Sequence, residues 1–118
     1  MLKKLDVSNN KLTSFGDNAF GNCTSLAFVD ARNNLYSKLQ SDWFKKCHNL
    51  THVFFGENKI DHIPFDLFNQ SLNLRTVDFS HNRLKKIPVE FAEANKASVT
   101  NDFYITTKAT NIIQAKFG

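Results

Sequence analysis

This chain is poor in the residues and runs that mark most other protein classes. It has four Gly, two Pro, two Cys, one Trp and one Met in 118 residues. So little Gly and Pro fits a folded soluble protein, and the length allows one domain with a modest core. No apolar run is long enough to span a bilayer. The N-terminus carries no signal-peptide pattern, since the core residue Leu2 follows Met1 directly. Membrane attachment is therefore expected only through segments outside this chain. Fifteen Lys and Arg against eleven Asp and Glu give a formal charge of +4, but the basic residues form no stripe interleaved with aromatics. Lys3-Lys4, Lys45-Lys46 and Lys85-Lys86 are scattered pairs, which argues against nucleic acid as a partner. Without any C-x-x-C spacing, Cys23, Cys47, His48 and His52 are not expected to hold a metal. His48 is merely next to Cys47 in sequence and is not the placed base that a cysteine nucleophile requires. No catalysis, cofactor or metal is expected.

Periodicity is what the chain does have. Leu2-x-x-Leu5-x-Val7-x-x-Asn10-x-Leu12-x-x-Phe15 returns after 24 residues as Leu26, Val29, Ala31, Asn34, Tyr36 and Leu39. The third copy is Leu50, Val53, Phe55, Asn58, Ile60 and Ile63; the fourth is Leu74, Val77, Phe79, Asn82, Leu84 and Ile87. Every position of the five apolar columns is hydrophobic, against 42% for the whole chain, so composition alone does not produce the register. The pattern divides the chain into units 2–25, 26–49, 50–73 and 74–97. In such an array function usually lies on a shared surface rather than in a catalytic pocket. An array that opens directly on a repeat also exposes the flank of its first turn, so a capping unit is expected outside this chain.

The L-x-x-L-x-L half of each unit alternates as a short strand does, turning every second side chain inward. Strands are expected around Lys3–Val7, Ala27–Ala31, Thr51–Phe55 and Arg75–Phe79, stacked in parallel. Asn10, Asn34, Asn58 and Asn82 mark the turn after each strand. An inward amide there can bond backbone groups of its own and neighbouring coils that would otherwise be buried unpaired, so these four are expected to be structural. The return half repeats as well. Phe20, Phe44 and Phe68 share one column, as do Cys23, Cys47 and Ser71, while the fourth copy loosens to Phe91, Ala92 and Asn95. Stacked rings of this kind fill the wide side of a coil.

These motifs resemble those of the leucine-rich repeat proteins, specifically the 24-residue typical (extracellular-type) subclass. Asn58-x-Ile60-x-x-Ile63-Pro64-x-x-x-Phe68 is similar to that family's N-x-L-x-x-L-P-x-x-x-F pattern, and the likeness covers residues 2–97. The run Ala19-Phe20-x-x-Cys23-x-x-Leu26 also resembles bacterial and protist surface repeats. The resemblance implies an α/β fold: a horseshoe solenoid with parallel β-strands on the concave face and turns or short helices on the convex face. It also implies protein partners bound on the concave sheet, commonly in ectodomains and secreted proteins. Residues 98–118 break the frame. Of Ser98, Asn101, Phe103, Thr106 and Lys108, only Phe103 suits a core column. This stretch is expected to be irregular, a degenerate repeat or a cap, with strand-like composition at Phe103–Thr107 and Ile112-Ile113 available to cover the end.

Cys23 and Cys47 occupy one column of successive coils, placing them about 5 Å apart at the backbone. They are expected to be two small buried thiols. A disulfide fits the distance, but side chains that run parallel oppose it. Asn22, Asn49 and Asn69 head N-x-S/T sequons in non-core columns and are the glycosylation candidates.

On the concave face, the residues between core columns are mostly those of a solvated sheet. Phe28 and Phe54 are the exceptions, lying diagonally on neighbouring strands beside His52 and ringed by Asp30, Arg32 and Asp78. An aromatic pair with a polar rim has the composition of an interface hot spot. With His81 in support, these residues form the candidate protein-binding site; the bland alternative is that the two rings only cover each other, or cover the C-terminal segment, and bind nothing. The first reading is a non-enzymatic recognition segment of an extracellular receptor ectodomain or secreted protein. A cytoplasmic adaptor or effector, and a structural spacer between other domains, are the alternatives.

Overall fold

The computed structural model describes residues 2–84, 102–107 and 112–116, with side chains described for 2–84. Six strands make one sheet in chain order: β1 (Lys4–Asp6), β2 (Phe28–Asp30), β3 (His52–Phe54), β4 (Thr76–Leu84), β5 (Asp102–Thr107) and β6 (Ile112–Lys116). The first five run parallel, and β6 returns antiparallel to β5. Leu5, Val29, Val53 and Val77 are register partners across β1 to β4, so the 24-residue interval of the sequence is the coil length. Chain leaves each strand and comes back through turns at 17–22, 41–46 and 65–70. Among the described residues the convex side consists of such turns, without a helix.

The inward columns form the core. Leu26, Val29, Ala31, Tyr36, Leu50, Val53, Phe55, Ile60, Leu74, Val77 and Phe79 are all fully buried. Rings stack along the solenoid axis: Phe44 lies 5.5 Å from Phe20 and 5.4 Å from Phe68, and Phe79 lies 5.7 Å from Phe55. Trp43 and Phe15 fill the space between the first two coils, with ring centroids 4.9 Å apart. Leucine-sized side chains there would leave voids at a cost comparable to a core truncation.

The asparagines close the backbone account. Asn58 donates through Nδ2 to the carbonyls of Ala31 (3.0 Å), Phe55 (3.0 Å) and Gly56 (3.1 Å), and its Oδ1 accepts from Tyr36 N–H at 3.1 Å. Asn34 and Asn82 repeat this four-bond pattern, each joining two coils. Asn10 is exposed and donates to Val7 and Ser8 of its own coil. The residue before each asparagine has a left-handed backbone, with φ of 59° at Asn9, 56° at Asn33, 56° at Glu57 and 54° at His81. Asn tolerates that region better than Glu.

The expectation for the cysteines changes. Cys23 and Cys47 are bonded to each other, with Cα atoms 5.3 Å apart. The parallel-side-chain objection fails because both cysteines sit between turns of the return path, where no pleat fixes side-chain direction. The next position of that column, Ser71, donates its hydroxyl to the Cys47 carbonyl at 3.0 Å. Beyond 97, residues 102–107 and 112–116 are strands, in line with the strand-like composition of Phe103–Thr107. Val77 pairs with Phe103 and Phe79 with Ile105, an interval of 26 rather than 24, and a fixed 24-residue frame misses it. Ile87, Phe91, Ala92, Asn95, Ser98, Asn101 and Lys108 lie outside the described residues.

Candidate functional site

Between core columns the strands turn outward Lys4, Phe28, His52 and Thr76 in one row, and Asp6, Asp30, Phe54 and Asp78 in the next. Three of the four coils follow one local rule in the second row. The aspartate carboxylate accepts the N–H two residues on: Ser8 to Asp6 at 3.0 Å, Arg32 to Asp30 at 3.1 Å and Ser80 to Asp78 at 2.8 Å. The Ser8 hydroxyl adds a 2.6 Å bond, and together these bonds hold the Asp6 carboxyl below its ordinary pKa. The third coil departs, with Phe54 replacing the aspartate and Gly56 following it. A Cβ on Gly56 would lie 3.2 Å from the Ser80 hydroxyl, so a side chain there would press on the next coil.

The aromatic pair assembles as the alternation implies. Phe28 and Phe54 are half-buried, with ring centroids 5.4 Å apart, and His52 is stacked 6.4 Å from Phe54. Each ring also carries a cation. Lys4 Nζ lies 4.8 Å from the Phe28 centroid, and the Arg32 guanidinium lies 5.1 Å from that of Phe54. The rings therefore cover each other in part, and each has one cation of its own chain against it.

Asp30 is placed differently from expectation. It is only 4% exposed, held by Arg32 through Nε to Oδ1 (3.0 Å) and NH2 to Oδ2 (2.7 Å). A buried carboxylate in this state fixes Arg32 more than it offers itself to a partner. The same bonds raise the Arg32 pKa further, helped by the charges of Asp30, Asp78 and Asp6. His52 donates to or accepts from Thr51 Oγ1 at 2.9 Å, which orients its ring. His81 is exposed within β4 at a position of left-handed backbone, apart from the ring cluster. Phe28, Arg32, His52, Phe54 and Asp78 thus lie together, Asp30 lies beneath them and His81 lies aside. The Lys4 contact was not anticipated, although the column position of Lys4 one coil before Phe28 carries the signal.

The sequon asparagines Asn22, Asn49 and Asn69 are exposed on the convex turns. Asn49 donates to the Thr24 carbonyl, while Thr51 and Ser71 bond backbone carbonyls of the preceding coil. A convex groove is lined by Asp42, Lys45, Lys46, His48 and Asp66, with charges of both signs. Among the described residues no His, Cys, Asp and Glu cluster could hold a metal, and no helix is long and apolar enough to cross a membrane.

The BspA-type leucine-rich repeat region model matches residues 1–117 in six copies. No curated protein matches the chain. Among solved structures, the leucine-rich repeat domain of APL1B is similar over 89% of this chain, with 20% identity and a TM-score of 0.78. The Toll–Spatzle complex of Drosophila, in its glycosylated form, is similar over 86% with 24% identity and a TM-score of 0.74. At such identities the likeness is one of fold. This chain spans 31% of the APL1B chain and 14% of the Toll-complex chain. Domains of this fold generally mediate protein–protein interaction.

Proposed function

The chain belongs to the BspA-type leucine-rich repeat family, and we propose that it is a non-enzymatic, extracellular recognition segment that binds a protein ligand on its concave face. In this reading residues 2–97 are four repeats, β5 and β6 extend the sheet, and the partner contacts Phe28, Arg32, His52, Phe54 and Asp78. The observation that carries it is the aromatic pair at 5.4 Å on a face whose other columns are polar. Phe54 departs from the Asp rule of the other three coils, and neither ring belongs to the buried core. The Toll structure, in which a repeat protein is complexed with Spatzle, supports a protein as the class of partner.

The extracellular setting draws support from the disulfide between Cys23 and Cys47, since such bonds persist in oxidising compartments. The exposed sequons fit it, with Asn22, Asn49 and Asn69 as glycan sites on the side opposite the aromatic pair.

Phe28→Ala with Phe54→Ala is the test. Both rings are outside the core, so the circular dichroism and melting profile should be kept. Affinity for a partner captured from the extracellular fluid or surface of the source cells should fall by about 1–3 kcal/mol per ring. An unchanged dissociation constant would remove the concave patch from consideration.

A further inference from the structure

Phe54 stands in a row between two carboxylates, with register partners Asp30 on one side and Asp78 on the other. The Asp30 side already holds a guanidinium: Arg32 is bonded to Asp30 at 2.7 Å and lies 5.1 Å from the Phe54 centroid. On the other side Asp78 makes no such bidentate pair, although its charge is among those that raise the Arg32 pKa. Asp78 accepts the Ser80 N–H through Oδ1 and forms no ion pair among the described residues. Tyr104 occupies the next position of that row.

We propose that the Phe54–Asp78 side of the concave face receives a cationic side chain, an arginine or lysine, from the protein partner. This rests on the concave-face reading and names the chemistry of the contact. Arg32 shows within this molecule what a guanidinium does beside an aspartate and over this ring. The face also has the right sign. Its strand columns carry Asp6, Asp30 and Asp78 against Lys4 and Arg32, an excess of one negative charge on a chain of formal charge +4. This balance favours a basic segment over an acidic one on this face.

The experiment uses the full chain, labelled with nitrogen-15, and titrates acetyl-arginine amide against its neutral isostere acetyl-citrulline amide and against acetyl-glutamate amide at constant ionic strength. Acetyl-arginine amide should shift the amides of His52–Phe54 and Thr76–Ser80 more than those of the convex turns. Asp78→Asn keeps the acceptor for the Ser80 N–H and should weaken this response about three- to fivefold, as should Phe54→Ala. Equal shifts with the citrulline compound, a preference for the glutamate compound, or no shift of these amides would each overturn the inference. A partner that depends on Phe28 and Phe54 but presents an acidic segment would also overturn it, while leaving the concave-face reading intact.

Discussion

The first and third coils spell the same motif and are held in different ways. In the first, Leu5, Val7, Leu12 and Phe15 are only partly buried and Asn10 bonds its own coil. In the third, Val53, Phe55 and Ile60 are fully buried, and Asn58 joins two coils with four hydrogen bonds. The value of the motif therefore lies between coils, since the same asparagine is a surface residue in one setting and a structural one in the other. The less-buried first coil is fastened covalently, through Cys23 to Cys47, whereas the equivalent join to the third coil is the Ser71 hydrogen bond.

Breaking the third coil should have the largest effect. Asn58→Ala leaves the Tyr36 N–H and three carbonyls without their amide, and at about 1 kcal/mol per bond the loss is about 4 kcal/mol. Asn10→Ala should cost only about 0.5 kcal/mol, because water replaces its two bonds. Denaturant melts of the pair measure the difference directly, and equal losses would mean that the coils do not share the asparagine. Replacing Cys23 and Cys47 by Ser should cost about 3 kcal/mol for a closed loop of this size. Hydrogen exchange should then rise in residues 2–25 while Thr51–Phe79 stays protected; uniform loosening would show that the bond does more than fasten the first coil.

Smaller effects sharpen the same contrast. Tyr36 takes a leucine column, and its hydroxyl is buried with no hydrogen-bond partner among the described residues. Burial raises its pKa to about 12. The unfolded chain releases this proton near pH 10, so stability is full below that value and is lost as pH rises towards 12. Tyr36→Phe should add about 1 kcal/mol at neutral pH and flatten that alkaline decline in a pH series of melts. Glu57→Asn should gain about 0.5 kcal/mol, because Asn accepts the left-handed turn more readily.

Much of the fold is legible in the residues. The interval, the inward columns and the asparagine seam follow from side-chain period and from the need to pair buried backbone, both local rules that repetition reinforces. The disulfide was not legible, because the direction of Cys23 and Cys47 depends on turn geometry that alternation does not encode. β5 shows in the strand-like composition of Phe103–Thr107, but its register is hidden by a two-residue change of interval, which shifts every column at once. At the candidate site, alternation places Phe28 and Phe54 outward, but exposure and charge pairing are tertiary. Asp30, sealed under Arg32, and Asp78, which is only partly buried, share a column; the one local difference is Arg32 against Ser80 two residues on, and the burial it brings is a tertiary effect.

Hydrogen exchange of the chain alone and with its captured partner asks most directly which face is used. The amides of Phe28–Asp30, His52–Phe54 and Thr76–Ser80 should gain protection in the complex. Protection confined to the convex turns at 17–22, 41–46 and 65–70 would place the partner on the opposite side and end the concave-face reading.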